Sequence, residues 1–305
     1  MATRNRRTGT TGRHEPRRAV ARVLLASIAG VLWLALVGPQ RSAYATPLPA
    51  RAALSTEVSL RPPPGMRSRS LGFAWEGKLL RGMPVRASDY LRHVGEYSER
   101  GRFFGTWELV QLLERAARRV AFRLPGAKLS VGELAQAGGG QIGGHRSHQS
   151  GRDVDIGFYT TLADGKPYYT YAFAEFDARG RGLPPNQYLR FDDARNWELI
   201  AKLLSDGDAR VQYVFVASTL KQRLLAEAVR RGAARTLIVR AKAVLVQPAQ
   251  GHPHRNHFHL RIYCAPADRG LCRDRGPFWP WYPGAPPGGL FSPLDTPVAE
   301  DAWEG

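Results

Sequence analysis

Over the first 45 residues, polar and apolar positions are segregated along the chain. Residues 1–18 are polar and carry Arg4, Arg6, Arg7, Arg13, Arg17 and Arg18. Ala19 to Gly38 is then nearly unbroken apolar sequence, interrupted by Arg22, and Ala43-Tyr44-Ala45 follows. A basic stretch, an apolar stretch and an A-x-A site form the pattern of a secretory signal peptide cleaved after Ala45. The competing reading is an uncleaved anchor, but the 16 residues from Val23 to Gly38 are short for a membrane span.

Beyond residue 45 the pattern becomes periodic. Within Thr106–Phe122, Leu109, Leu113, Ala116, Ala117 and Val120 recur at helical spacing, with Thr106 as N-cap and Arg118-Arg119 near the end. Asp193–Ser205 predicts a second helix around Trp197, Ile200 and Leu204, and Thr219–Arg231 a third, closed by Gly232. Val211–Ala217 reads as a buried strand, and Thr236–Val246 also reads as strand. Two further segments alternate with period two. In Asp153–Phe158, Val154, Ile156 and Phe158 alternate with Asp153, Asp155 and Gly157. In His257–Cys264, Phe258, Leu260, Ile262 and Cys264 alternate with His257, His259, Arg261 and Tyr263. Helices and strands do not alternate regularly, so the expected fold class is α+β: a small antiparallel sheet flanked by helices and long loops. Residues 46–68, with five prolines, read as an extended lead-in, 69–275 as the main domain, and 276–305 as a Pro/Gly/Trp-rich C-terminal segment.

Composition narrows the class. The 305 residues include 32 Gly and 22 Pro, which suits a loop-rich domain, and no heptad or solenoid repeat is present. The formal charge is +18; removing residues 1–45 leaves 36 basic and 25 acidic residues, a net +11. Such a chain attracts polyanions. Export directs that attraction away from nucleic acid and toward envelope polymers bearing free carboxylates, with Arg146, Arg152 and Arg255 as candidates to meet them. The two cysteines, Cys264 and Cys272, lie close together with no CxxC spacing, and in an oxidising compartment they predict a disulfide.

Six of the eight histidines fall in two short segments, Gly143–Ile156 and His252–Ile262. Neutral imidazoles with one carboxylate form the ligand set of catalytic zinc, which keeps a position open for water. If the two period-two strands pair, Asp155 and the imidazoles of His257 and His259 converge on one face. The glycine-flanked loop carrying His148 can fold back to add another ligand. Asp153 reads either as an acceptor that fixes a histidine tautomer or as a structural acid.

The spacing His148-x6-Asp155 with a distant His257-x-His259 is similar to that of zinc peptidases related to lysostaphin and the D-Ala-D-Ala dipeptidases. GGHRSHQSGRDVDI and HRNHFHLRI resemble more closely the penicillin-insensitive murein endopeptidases, with weaker likeness in Ser70-Leu71-Gly72, Phe104-Gly105 and Val214-Phe215-Val216. The resemblance implies a periplasmic hydrolase of D-alanyl–diaminopimelate cross-links in peptidoglycan, without a serine nucleophile for a β-lactam to acylate. It further implies Zn2+ held by His148, Asp155 and His259, with His145 at the metal or just behind it. His257 becomes the base or oxyanion stabiliser, assisted by His254. Two departures stand out: Glu133 where close members have Asp, and no family histidine in Gln187–Arg195. The rival readings are a D,D- or L,D-carboxypeptidase on the same site, and a wall-binding protein whose zinc is only structural. Expected partners are cross-linked stem peptides, with no nucleic acid, and no membrane once the signal is removed; the sequence leaves the oligomeric state open.

Overall fold

The computed structural model describes residues 63–249 and 251–284. The expected signal peptide, most of the lead-in and the end of the C-terminal segment lie outside the described residues. Among the described residues, no helix is long and apolar enough to cross a membrane.

Helix α1 (Trp107–Arg123) begins where Thr106 Oγ1 accepts from the Leu109 amide at 3.4 Å, and it buries Leu109, Leu113, Ala116 and Val120 as the periodicity requires. Helix α2 (Asp193–Leu204) is capped by the Asp192 carboxylate, which accepts from the Arg195 amide at 3.0 Å. Helix α3 spans Ser218–Arg230. The strand expected at Thr236–Val246 is instead helix α4 (Arg235–Val244), and only Leu245–Val246 is extended. The run Thr236-Leu237-Ile238-Val239, β-branched at Thr236, Ile238 and Val239, suggests a strand. However, Ala241 and Val244 are buried, Leu237 and Ile238 pack on the core, and Val239 is 53% exposed, which is a helical period.

The main sheet has six strands, in the spatial order Leu245–Val246, Val211–Phe215, His257–Ile262, Asp153–Gly157, Leu129–Val131 and Leu91–His93. The expected antiparallel pairing holds for the three central ladders, but each edge strand pairs parallel with its neighbour. Both parallel pairs are joined through helices, α1 on one side and α3 with α4 on the other, because a parallel neighbour requires a crossover. The class remains α+β.

Central register places Leu260 opposite Val154 and Phe258 opposite Ile156, and these join α1 and α2 in one hydrophobic core. The alternate positions pair Arg261 with Asp153, His259 with Asp155 and His257 with Gly157 on the opposite face. That face is covered by the hairpin of Arg69–Gly72 and Gly77–Leu80 and by the loop before Asp153, where the Leu79 amide donates to Gly138 O at 3.1 Å. The Cys264–Cys272 disulfide closes a loop whose Asp268 carboxylate accepts from the Ser70 amide at 2.9 Å, tying it to the hairpin. By loop entropy such a bridge contributes roughly 2–3 kcal/mol. The C-terminal wrap then inserts Trp279, whose indole donates to Gln212 O at 2.7 Å.

One ionic clamp locks the helical layer to the sheet. Asp206, between α2 and the Val211–Phe215 strand, accepts from Arg115 Nε and Nη2 at 2.8 and 2.7 Å and from the Asp208 and Ala209 amides at 3.0 and 3.1 Å. Burial raises its carboxyl pKa, but these donors outweigh burial and hold it below the ordinary value. A depressed carboxyl stabilises the fold above its unfolded pKa, and this contribution is lost as pH falls through the folded pKa. Asp206→Asn should therefore lower stability by about 2–3 kcal/mol at neutral pH. Urea denaturation at a series of pH values should show the gap to the parent protein closing below the carboxylate range; a gap independent of pH contradicts the clamp.

Candidate metal centre

Four imidazoles surround the Asp155 carboxylate. His148 Nε2 and His259 Nδ1 each lie 3.4 Å from Asp155 Oδ1, and His257 Nε2 lies 3.5 Å from it; His145 Nδ1 is 3.7 Å from Oδ2. His145, His148 and Asp155 each offer a ligand atom, and these atoms all lie within 4.8 Å of one another, a grouping that could hold a metal ion. His254 packs its ring 4.9 Å from that of His257. His148 and His254 are fully buried.

Each ring has its other nitrogen against an oxygen. His145 Nε2 meets Glu133 Oε2 at 2.9 Å, and His259 Nε2 meets Asp153 Oδ1 at 2.9 Å. His148 Nδ1 meets Leu134 O at 3.2 Å, His254 Nδ1 meets His252 O at 2.9 Å, and His257 Nδ1 meets Asn256 Oδ1 at 2.8 Å. Carbonyls and carboxylates only accept, so the contacting nitrogen carries the proton and donates. For the four rings around Asp155, a neutral imidazole then turns its lone pair inward. His148 illustrates the consequence: burial lowers its pKa, and its inner Nε2 is buried 3.4 Å from Asp155 Oδ1.

The dipeptide Glu133-Leu134 organises the three clustered residues together. The Glu133 side chain holds His145, its carbonyl accepts from the Asp155 amide at 2.9 Å, and the next carbonyl holds His148. Glu133 is itself buried and accepts from Arg100 and Arg102, both at 3.0 Å. Burial raises its pKa, yet the hydrogen bond from His145 and the two guanidinium groups bring it below the usual range. Asp153 acts in the same way for His259. Burial opposes its ionisation, but Arg261 Nε at 2.7 Å and His259 hold it far below the ordinary carboxylate pKa. Of the two readings open for Asp153, the structure places it behind His259 as an acceptor. His148 and His254 adopt left-handed backbone, φ +66° and +50°, a conformation uncommon outside glycine and one that turns their rings inward.

Every histidine and carboxylate picked out in the sequence thus lies in or directly behind one cluster. Phe173 was not foreseen: it stacks on the His257 ring at 4.9 Å and 20°. It fits because Gly132 and Gly157 lack side chains; a Cβ there would stand 2.5 and 3.0 Å from its ring. Its sequence signal is slight, since Phe173 lies in a loop without period. Among the basic candidates, Arg152 is buried and committed to Ser70 Oγ, Ile262 O, Arg273 O and Asp274. Arg255 pairs with Glu175 at 3.0 Å, and Arg146 is exposed.

The relatives of this chain carry the same label. Residues 80–280 match the family described as "Penicillin-insensitive murein endopeptidase". Proteins of that name from Haemophilus influenzae, Klebsiella pneumoniae and Salmonella paratyphi C are 31, 28 and 29% identical over 183, 221 and 230 residues. The aligned regions cover 58, 70 and 73% of this chain, and 57, 73 and 76% of the relatives. The match contains both histidine segments, all four central strands that bear or flank the cluster, and the Glu133 carboxylate behind it. With two thirds of its length inside the family and its histidines gathered around one aspartate, this chain belongs to the penicillin-insensitive murein endopeptidases.

Proposed function

We propose that the protein is an exported zinc metallo-endopeptidase that hydrolyses D-alanyl–diaminopimelate cross-links of peptidoglycan in the periplasm. The observation that carries this reading is the set of four imidazole nitrogens turned toward Asp155, each ring held from behind by an oxygen. In a tetrahedral zinc site with ligand bonds of about 2.0–2.1 Å, neighbouring ligand atoms stand about 3.3 Å apart. The 3.4 Å separations of His148 Nε2 and His259 Nδ1 from Asp155 Oδ1 fit that requirement. His148, Asp155 and His259 would hold the ion. His145, whose inner nitrogen is slightly farther at 3.7 Å, would sit at its edge as a fourth ligand or a neighbour.

When bound, zinc supplies Lewis acidity to the scissile carbonyl and to the water that attacks it. The chain's own residues do the rest. His257, its ring fixed by Asn256 and Phe173, presents Nε2 beside Asp155. It takes the proton of the attacking water, steadies the tetrahedral oxyanion, and returns a proton to the amine as the C–N bond breaks. His254, packed against His257 and held by His252 O, supports that ring. Arg261 keeps Asp153 ionised, so that His259 remains oriented.

Purified protein should contain about one zinc per chain and convert cross-linked muropeptide dimers to monomers, as read by metal analysis and mass spectrometry of the products. His148→Ala and Asp155→Ala should lose most of the metal; full retention in both overturns the ligand assignment. Release of only a terminal residue from stems assigns a carboxypeptidase instead.

His257→Ala should keep near-normal zinc but lose roughly 10²–10⁴-fold in rate. His259→Ala should lose zinc and activity together. The opposite pattern, with metal lost at His257 and retained at His259, exchanges the two roles.

A further inference from the structure

Among the described residues ten large hydrophobic side chains are exposed, and four of them are tyrosines: Tyr168, Tyr169, Tyr171 and Tyr188. Three fall in one stretch of four residues. Tyr188 joins them from the turn before Arg190–Phe191, its ring centre 5.5 Å from that of Tyr168. The stretch is anchored rather than loose. The Tyr168 amide donates to Thr160 O at 3.0 Å, and Thr160 Oγ1 donates to Tyr168 O at 2.6 Å. Tyr169 Oη accepts from the Lys128 amide at 2.7 Å, and the Arg92 guanidinium carbon lies 5.2 Å from its ring centre. The Glu96 amide donates to Tyr171 O at 2.9 Å, and the Tyr171 ring rests against Gly95, where a Cβ would stand 2.5 Å from it. Tyr171 is nonetheless 74% exposed. A cluster of exposed aromatic rings on a fixed backbone marks a binding surface.

The surface is continuous with the histidine cluster. Tyr171 is two residues from Phe173, whose ring stacks on His257, so their Cα atoms are at most about 7 Å apart. Tyr97, two residues beyond Gly95, packs its ring 5.2 Å from Phe173 on the same side. Stem peptides hang from strands of β-linked, N-acetylated amino sugars. A stem of three or four residues spans about 10–14 Å when extended, so a bond held at Asp155 brings its own glycan strand within reach of Tyr171. The chemistry also matches. A pyranose presents C–H bonds on its faces and polar groups at its rim, while tyrosine offers an electron-rich ring face and a hydroxyl at its tip. Tyrosine in place of leucine or phenylalanine keeps the tip of each ring wet, which suits a hydrated sugar over an apolar protein segment.

We infer that Tyr168, Tyr169, Tyr171 and Tyr188 form a docking surface for the glycan strand that carries the stem peptide. The inference rests on the endopeptidase reading and names the second part of the substrate that the protein holds. Tyr171 is the ring that meets the sugar nearest the cluster, and Tyr168 with Tyr188 lies farther along the surface.

Two measurements test it. In the first, binding of peptide-free glycan strands of alternating N-acetylglucosamine and N-acetylmuramic acid is followed by calorimetry. Tyr171→Ala should weaken binding about 10-fold, and Tyr171→Phe should retain most of it. In the second, cleavage of cross-linked dimers that carry glycan chains is compared with cleavage of the same cross-linked peptides without sugar. Tyr171→Ala should raise KM about 10-fold for the glycan-bearing dimers alone, with kcat little changed on either substrate. Equal glycan binding by the parent and Tyr171→Ala proteins, or an equal KM change on both substrates, overturns the docking surface. Self-association of the parent that Tyr171→Ala abolishes, without glycan binding, overturns it in favour of a contact between two copies. Tyr171-dependent glycan binding without any cleavage of dimers overturns the endopeptidase reading alone.

Discussion

The structure depends on the hydrogen bonds that point away from the histidine cluster around Asp155. Five imidazoles lie buried or nearly so, and each anchors its outer N–H on an oxygen: Glu133, Leu134, His252, Asn256 or Asp153. A buried N–H without a partner costs about 1–3 kcal/mol, so these acceptors determine which way each ring faces. Where the backbone cannot orient a ring in an ordinary conformation, it adopts a left-handed one, as at His148 and His254, at an expense of about 1–3 kcal/mol each. The fold tolerates that strain because the acceptors are themselves fixed by strand pairing and by arginines.

The sheet supplies this rigidity from its centre. The pairing of His259 with Asp155 and Arg261 with Asp153 brings the pair proposed to hold the metal and the pair behind it into adjacent rows. A slip by one residue would exchange these for Phe258, Leu260, Val154 and Ile156 and place charges in the core beneath α1 and α2. Hydrophobic burial on one face thereby enforces the chemistry on the other. The last two strands at one end of the sheet matter for a different reason. Leu129–Val131 leads directly into Glu133-Leu134, and Leu91–His93 leads toward Gly95, against which the Tyr171 ring rests.

Period and residue type made much of this visible in the sequence. The strands Asp153–Gly157 and His257–Ile262, their shared polar face, and the convergence of His148, Asp155 and His259 followed from alternation and spacing. Helices α1 to α3 followed from apolar spacing and caps. Helix α4 did not, because its β-branched residues mimic a strand and only its buried positions reveal the turn. Glu133, noted in the sequence only as a departure from the family, and Phe173 acquire their importance from distant partners: a histidine 12 residues on, and two glycines that make room for a ring. Neither partnership leaves a local pattern. Conversely, Arg152 looked like a substrate contact beside the histidines, yet it is a buried brace for the C-terminal wrap.

The most direct test of this account is long-range 1H–15N correlation of the histidine rings in metal-free protein, at a pH where the imidazoles are neutral. The account predicts single, fixed tautomers: His145 and His259 protonated on Nε2, and His148, His254 and His257 on Nδ1. Rapidly averaging tautomers, or protons on the inward nitrogens of His148 and His259, would contradict it.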